Sequence, residues 1–191
     1  MRNTFAPLGA NNHVDEDRAE DDFYATDPDA IDLLFEVETF SELIWEPACG
    51  MGHLSKRMKL HGKSVFSSDL VDRNYPCAVF NFLDIKLRDG WNGDIITNPP
   101  YNVAVDFIKN AIDVVSRGCK VAMFLKLLFL EGQARKDFFL QYPPKTVYVS
   151  ASRILCAKDG DFINNKTKAV AYAWYVWEKG YQGETIIKWV N

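Results

Sequence analysis

Short apolar segments alternate with segments of helical character along the first two thirds of the chain. Residues 43–46, 65–69 and 94–97 are built around apolar side chains and are followed by turn residues, a pattern that predicts buried strands. Residues 53–61 have a helical composition, and residues 103–117 carry apolar side chains three and four positions apart. This alternation predicts a doubly wound α/β fold with a mostly parallel sheet.

The pattern changes in the last third of the chain. Before that change, residues 78–80 and the long apolar run 120–129 predict two more strands of the parallel part of the sheet. Residues 145–151 and 168–177 are alternating and rich in aromatic side chains, with no helix between them. They predict an antiparallel hairpin that completes a seven-stranded sheet, and residues 185–190 are a candidate for an additional edge strand.

The N-terminal part of the chain divides at about residue 22. Residues 1–22 hold six acidic and two basic side chains and few large apolar ones, which predicts an acidic, disordered tail. A helix of about ten residues should follow, with Thr26 or Asp27 as its N-cap and Pro28 in its first turn. We therefore expect one domain over residues 23–191, without a separate domain for recognising a target.

Composition excludes few functions. The chain has 191 residues, 48% of them hydrophobic and 25% charged, and a net charge of −4. The first 22 residues account for all of that net charge, so the overall charge neither supports nor excludes binding to nucleic acid. The four cysteines are widely spaced, which argues against a zinc site and against a disulfide framework. Since no apolar run is long enough to span a membrane and the N-terminus lacks the apolar core of a signal peptide, we expect a cytoplasmic protein. We also expect no metal.

The most distinctive segment is Asn98-Pro99-Pro100-Tyr101, which directly follows the predicted strand 94–97. Each proline fixes its own φ angle and disfavours helical geometry in the residue before it, so the corner should be rigid and extended. It presents an amide side chain, a carbonyl group and an aromatic ring within four residues. Such a corner could bind a planar amino group through its hydrogens and stack against the attached ring.

Three further candidates follow other predicted strands, and ligands of doubly wound sheets bind at the carboxyl ends of strands. The loop from Glu46 to Gly52 contains Gly50 and Gly52, which allow close approach of a ligand to the backbone. Asp69 follows Gly52 by 17 residues, near the spacing at which an acid binds a ribose. Asp84 follows the strand 78–80 and could accept a hydrogen bond from an adenine amino group.

The segments Glu-Pro-Ala-Cys-Gly-Met-Gly (46–52) and Asn-Pro-Pro-Tyr (98–101) resemble those of the class I S-adenosylmethionine-dependent amino-methyltransferases, and in particular of phage and bacterial DNA adenine-N6 methyltransferases. The resemblance extends over residues 23–177. It implies S-adenosylmethionine as cofactor and methyl transfer to the N6 amino group of a flipped or single-stranded adenine in DNA. The residues 23–28 are similar to a Tyr-x-Thr-Pro segment of the family, although Asp27 is an insertion relative to that pattern.

The resemblance also implies a role for each matching residue. Asn98 and the carbonyl group of Pro99 would bind the substrate amino group beside Pro100, and Tyr101 would stack on the base. Asp69 would bind the ribose hydroxyls, and Asp84 the adenine amino group of the cofactor. The complete set of implied cofactor-binding residues is Tyr24, Thr26, Glu46, Pro47, Ala48, Cys49, Gly50, Gly52, Asp69, Leu70, Phe82, Leu83, Asp84 and Asn98.

Candidate substrate contacts lie in the last third of the chain. Arg135 follows a segment similar to one in phage and bacterial relatives and is a candidate for a phosphate contact. The basic, polar loop 156–168 lies where the family often encloses the target base; its candidate residues are Lys158, Phe162, Lys166 and Lys168.

Alternative functions stay open at this point. An RNA adenine or guanine amino methyltransferase needs less apparatus for reading a groove. Protein glutamine N5 methyltransferases also use Asn-Pro-Pro-Tyr, and a binding module without turnover would represent a different class. For the DNA enzyme we expect nucleic acid as the partner, with a recognition subunit or a homodimer supplying additional sequence recognition.

Overall fold

The computed structural model describes residues 23–164 and 170–191. The predicted acidic tail, residues 1–22, therefore lies outside the described residues. The strands are β1 (Tyr24–Thr26), β2 (Leu43–Glu46), β3 (Ser64–Asp69), β4 (Ala78–Val79), β5 (Asp94–Thr97), β6 (Lys120–Lys126), β7 (Thr146–Ser150), β8 (Cys156–Lys158), β9 (Tyr172–Glu178) and β10 (Ile186–Val190). The helices are α1 (Asp29–Val37), α2 (His53–Leu60), α3 (Ala104–Val114) and α4 (Gln133–Gln141).

The described residues form an eight-stranded central sheet in the order β10-β7-β9-β6-β5-β2-β3-β4. Strands β4, β3, β2, β5 and β6 run parallel, whereas β9 lies antiparallel between β6 and β7. This arrangement confirms the doubly wound sheet and the antiparallel pairing near the C-terminus. The sheet has eight strands rather than the predicted seven because β10, the candidate edge strand, pairs in parallel with β7.

Two predicted elements end earlier than their apolar patterns suggested. Strand β6 stops at Lys126, and the apolar residues Leu127–Leu130 form a 3₁₀ turn instead. Helix α3 stops at Val114, since Val115 has extended backbone angles and forms a bridge with Trp91. Leu127, Phe129 and Val115 still pack against the core while the backbone changes direction, so hydrophobicity alone could not locate the end of either element.

A second, two-stranded sheet joins β1 to β8 in antiparallel register, with Tyr24 opposite Lys158 and Thr26 opposite Cys156. Neither strand was predicted, because three residues are too few for an alternating pattern to be recognised. The pairing places part of the loop 156–168 beside the segment that precedes α1. Residues 165–169, which include the end of that loop, lie outside the described residues.

The helices cover both faces of the central sheet. Buried residues of α1 and α2, such as Ile31, Leu34 and Met58, pack on one face, and buried residues of α3, such as Phe107 and Ile108, pack on the other. The N-cap of α1 is Pro28 rather than the predicted Thr26 or Asp27, although the carboxylate of Asp27 accepts a hydrogen bond from the N–H of Asp29 at 3.1 Å. Within the described residues, no helix is long and apolar enough to cross a membrane.

A buried carboxylate joins three central strands at their amino ends, the ends opposite the Asn98 corner. Asp94, at the start of β5, is 3% exposed. Its two oxygens accept hydrogen bonds at 2.6 Å from the backbone N–H groups of Ser41 and Lys120. These groups precede β2 and begin β6, so one side chain joins three neighbouring strands. Charge-assisted hydrogen bonds of this kind are stronger than neutral ones.

The substitution Asp94→Ala should therefore lower the free energy of unfolding by about 2–4 kcal/mol, because it leaves two backbone donors without their acceptor. Urea denaturation followed by circular dichroism measures this change. Asp84→Ala removes the same group from an exposed turn and should change the free energy by less than about 0.5 kcal/mol. Equal stabilities of the two variants would contradict the structural role of Asp94.

Candidate functional site

A cavity of about 510 Å³ opens at the carboxyl ends of β2, β3 and β5. Its position matches the point at which the strand order of a doubly wound sheet reverses, here between β2 and β5. Its volume is typical of a small-molecule site. The predicted residues that line it are Tyr24, Thr26, Glu46, Pro47, Ala48, Cys49, Asp69, Leu70, Phe82, Leu83, Asn98, Pro99, Pro100 and Tyr101.

Asn98 lies in the wall of this cavity with a fixed side chain. Its amide nitrogen donates hydrogen bonds to the carbonyl oxygen of Tyr24 at 3.0 Å and to Oγ1 of Thr26 at 2.9 Å. Because a backbone carbonyl can only accept, this contact determines which end of the amide faces β1. The other end, Oδ1, is buried and has no hydrogen-bond partner among the described residues. An unpartnered buried acceptor is costly, and its presence in a cavity wall indicates a position for a ligand donor.

Tyr101 follows in the same corner and is enclosed by other side chains. Its ring centroid lies 6.0 Å from that of Tyr24 and 6.4 Å from that of Tyr172. The ammonium group of Lys126 lies 4.8 Å from the Tyr101 centroid, within the range of a cation–π interaction. Burial raises the pKa of Tyr101 well above its usual value, and its hydroxyl group donates to Sγ of Cys156 at 3.9 Å. Tyr101 is therefore a neutral, firmly packed part of the wall.

The glycine-containing loop between β2 and α2 has backbone angles that favour glycine. Gly50 and Gly52 have φ angles of +53° and +76°. A Cβ atom at Gly50 would overlap the ring of Phe23, and one at Gly52 would overlap the ring of Tyr75. These two glycines are not themselves in the cavity wall, but their conformations allow Ala48 and Cys49 to line it.

Asp69, at the end of β3, supports that loop. Its Oδ2 accepts the N–H of Gly50 at 2.7 Å, and its Oδ1 accepts the N–H of Val71 at 3.0 Å. The carboxylate is 8% exposed and lines the cavity. It therefore shapes the loop and also presents oxygen atoms to any ligand, each with lone pairs left for a hydroxyl donor.

Glu46 is the other carboxyl group of the cavity and differs from Asp69. It is 1% exposed and accepts a hydrogen bond from Oγ of Ser55, which in turn lies 2.6 Å from Oγ of Ser67. Burial raises the pKa of Glu46 to about 8, and the neighbouring charge of Asp69 acts in the same direction. Glu46 is consequently protonated near neutral pH in the unliganded protein.

The structure does not bring Asp84 to the cavity. Residues Phe82–Asp84 form a 3₁₀ turn, in which Phe82 and Leu83 face the cavity and Asp84 is exposed. Asn81 lines the cavity instead, and its Oδ1 caps the turn by accepting the N–H of Leu83 at 3.1 Å. The sequence pattern could not show that Asn81 rather than Asp84 lines the cavity, because the direction of each side chain depends on where the turn begins.

The candidate substrate contacts lie at different distances from this centre. Arg135 lies outside the cavity wall. Its guanidinium group donates hydrogen bonds to the carbonyl oxygens of Leu128, Phe129 and Glu131 and stabilises the turn after β6. Lys158 lies in β8, opposite Tyr24. The ring of Phe162 lies 5.2 Å from that of His53, a residue of the cavity wall. Lys166 and Lys168 lie outside the described residues.

The residues of the cavity wall that sequence reasoning missed include Phe23, His53 and Arg73. The guanidinium group of Arg73 lies 4.4 Å above the ring of Phe23, which packs on the glycine-containing loop. Burial lowers the pKa of His53, so its imidazole is neutral near pH 7. Phe23 and His53 directly adjoin predicted segments and could have been included on that ground, whereas no pattern distinguishes Arg73.

Several solved structures with a similar architecture are methyltransferases or are proposed to be. A protein from Listeria monocytogenes, proposed to be a class I S-adenosylmethionine-dependent methyltransferase, superimposes with a TM-score of 0.57 at 10% identity over 85% of this chain and 63% of its own. A protein from Pyrococcus horikoshii proposed to be an RNA methyltransferase superimposes with a TM-score of 0.53 at 14% identity, over 76% of this chain and 77% of its own. Geranyl diphosphate C-methyltransferase from Streptomyces coelicolor, in complex with S-adenosyl-L-homocysteine, superimposes with a TM-score of 0.51 at 11% identity, over 79% of this chain and 78% of its own.

These matches establish the fold alone, because their sequence identities are low. The chain has the Rossmann-like fold found in these methyltransferases, as the sequence predicted. It spans less than two thirds of the length of the Listeria protein. No protein-family model and no curated protein sequence matches the chain.

The raised pKa of Glu46 makes a prediction about stability. The folded protein holds the Glu46 proton up to about pH 8, whereas an ordinary glutamate releases it near 4.5. The free energy of unfolding should therefore fall as pH rises between these values, because the unfolded chain binds fewer protons than the folded one. The contribution of one such group reaches at most about 1.4 kcal/mol per pH unit.

Glu46→Gln removes this titration while keeping the shape of the side chain. Urea denaturation between about pH 5 and pH 9 should show the variant gaining stability relative to the wild type as pH rises, with the difference levelling off above about pH 8. A stability difference that is independent of pH would contradict the protonated state of Glu46.

Proposed function

We propose that the chain is an S-adenosylmethionine-dependent methyltransferase that acts on the exocyclic N6 amino group of adenine in DNA. The observation that carries this proposal is the Oδ1 atom of Asn98, which is buried in the cavity wall and has no hydrogen-bond partner among the described residues. Two hydrogen bonds from the amide nitrogen of the same side chain hold it in place. A buried acceptor in that position requires an N–H or O–H donor from a ligand. The amino group of a planar base supplies such a donor.

The residues of the cavity fit the proposed cofactor. Asp69 would accept the ribose hydroxyls, and Phe82 and Leu83 would form the apolar wall beside the adenine ring. The loop after Glu46 would surround the amino-acid end, since its glycines allow the backbone to approach. When bound, S-adenosylmethionine supplies an activated methyl group on a sulfonium centre.

The residues of the Asn98 corner would prepare the accepting nitrogen. An adenine amino group is a poor nucleophile because its lone pair is delocalised into the ring. Hydrogen bonds from its two hydrogens to Asn98 Oδ1 and to the carbonyl oxygen of Pro99 would favour pyramidal geometry and localise the pair. Since the prolines and the contacts to β1 hold these acceptors rigid, the site acts by orientation and by preorganised dipoles. A neutral amide is a weak base, so the proton released from the nitrogen passes to water.

The packing of Tyr101 changes one detail of the expected substrate binding. Tyr24, Tyr172 and Lys126 already surround its ring. A base that stacks on Tyr101 must therefore enter along the remaining cavity surface, and a base inside a duplex cannot do so without being flipped out. The restricted access favours a single-stranded or flipped nucleotide. Stacking of its base on the Tyr101 ring would stabilise the complex by about 1–3 kcal/mol.

RNA is the second candidate substrate. The described residues form the sheet, its covering helices and the small sheet β1–β8, with no further folded unit among them that could read a DNA groove. Recognition of an adenine or guanine amino group in a single-stranded RNA loop requires less protein surface. The two candidates share the site and the chemistry, so only the substrate assay separates them.

The catalytic proposal is tested with S-adenosylmethionine labelled in its methyl group. Single-stranded DNA, duplex DNA, RNA and a protein extract are each incubated with the wild type and with Asn98→Ala. We expect label in DNA with the wild type, and a decrease of at least about 100-fold with Asn98→Ala because a preorganised acceptor is lost. Cofactor affinity should stay within a few-fold.

Asn92→Ala serves as the matched control, since Asn92 is exposed and lies before β5, at the end opposite the cavity. It should retain full activity. Label in RNA alone would replace the DNA proposal by the RNA one, and label in protein alone would favour glutamine methylation. A fully active Asn98→Ala variant would contradict the mechanism.

The cofactor site makes a separate prediction about the turn after β4. Asn81→Ala should weaken binding of S-adenosylmethionine about threefold to tenfold, the effect of one lost hydrogen bond, whereas Asp84→Ala should leave it unchanged. Isothermal titration calorimetry measures both affinities. Weaker binding by the Asp84 variant alone would show that Asp84, as the family resemblance implies, contacts the adenine.

A further inference from the structure

Strand β6 extends beyond the end of its neighbour β5, and its last residue lies beside the Asn98 corner. Thr97, the last residue of β5, is paired with Met123, so β6 continues for three more residues to Lys126. At the usual rise of a strand, this distance is about 10 Å. On its other side Lys126 is paired with Tyr172 of β9. Lys126 therefore lies at the cavity edge of the sheet, next to the residues that would receive the substrate.

The ammonium group of Lys126 has no counterion within the described residues. It lies 4.8 Å from the centroid of the Tyr101 ring and makes no hydrogen bond or ion pair with residues 23–164 or 170–191. Lys120, at the other end of the same strand, donates to Oε1 of Glu38 and to the carbonyl oxygen of Thr39, both at 2.6 Å. Both lysines are half-buried, but among the described residues only Lys120 has hydrogen-bond acceptors for its ammonium group.

Two groups to which the described residues give no hydrogen-bond partner thus belong to this corner, one in Asn98 and one beside the Tyr101 ring. Asn98 Oδ1 is a buried acceptor, and the Lys126 ammonium is a half-buried donor with a positive charge. A single ligand that binds both would carry an N–H or O–H donor for Asn98 Oδ1 and an anionic group for Lys126. A nucleotide within a nucleic-acid strand has this composition, whereas a glutamine side chain in a peptide is neutral.

We infer that Lys126 binds a backbone phosphate at the target nucleotide and thereby positions its base against Asn98. This inference rests on the proposed function and makes its substrate class more specific, namely a polynucleotide rather than a protein. Lys126 is a positioning residue, since it contacts neither the amino group nor the transferred methyl group. The cation–π contact with Tyr101 holds the ammonium group in place before the strand binds.

The experiment measures binding of a fluorescently labelled single strand of about 20 nucleotides, as DNA and as RNA of the same sequence, in the presence of S-adenosyl-L-homocysteine. Lys126→Met and Lys126→Arg are compared with the wild type between about 50 and 200 mM salt. Lys109→Met is the matched control, because Lys109 is also half-buried and lies 6.0 Å from the centroid of an aromatic ring, but on α3 and beside Phe138 rather than beside Tyr101.

For Lys126→Met we expect about fivefold weaker binding near 100 mM salt and a salt dependence reduced by about 0.7 in log–log slope, the contribution of one phosphate contact to a single strand. Lys126→Arg should restore both values, and Lys109→Met should leave them unchanged. KM for the strand should rise more than kcat falls. Unchanged affinity for S-adenosyl-L-homocysteine in all variants shows that they are folded.

The outcomes separate the inference from the proposed function. If the wild type binds and methylates a strand but Lys126→Met has the same affinity and salt slope, the inference is wrong and the methyltransferase proposal stands. If the wild type binds neither strand, both are wrong. The strand whose binding is weakened by Lys126→Met, DNA or RNA, identifies the source of the phosphate.

Discussion

The candidate site depends on one side-chain amide. By donating two hydrogen bonds to β1, Asn98 joins the corner after β5 to residues 74 and 72 positions earlier in the chain. Strand β1 is paired on its other side with β8, which belongs to the connection between β7 and β9. Three segments distant in sequence therefore meet at one point, and the same contacts that assemble the wall leave Asn98 Oδ1 without a partner. A polar group that stabilises the fold with one end and remains available with the other is well suited to binding a ligand.

The charges around this point are unevenly distributed. On the cofactor side, Asp69 is held by two backbone N–H groups, while Glu46 is buried and protonated. On the substrate side lies Lys126, whose charge no described carboxylate compensates. The proposed ligands complement this distribution. A cationic cofactor would lie near the carboxyl groups, and an anionic strand would approach the lysine.

The sequence predicted the parts of the site that depend on local backbone constraints. Consecutive prolines define the corner after Asn98, and the positions of Gly50 and Gly52 require angles that glycine favours. It could not predict contacts that depend on tertiary geometry. The pairing of β1 with β8 involves strands of three residues, the 3₁₀ turn decides that Asn81 rather than Asp84 faces the cavity, and the carbonyl groups after β6 bind the guanidinium of Arg135. Lys126 was hidden within a longer apolar run whose end only the sheet register reveals.

The central claim is that Asn98 Oδ1 accepts a hydrogen bond from the amino group to be methylated. A crystal structure of the protein with S-adenosyl-L-homocysteine and an adenine-containing oligonucleotide measures this contact directly. The adenine N6 atom should lie about 2.7–3.2 Å from Asn98 Oδ1, with the amide nitrogen still bound to β1. An adenine held elsewhere in the cavity, or an Asn98 side chain turned away from it, would show that Asn98 Oδ1 does not bind the amino group.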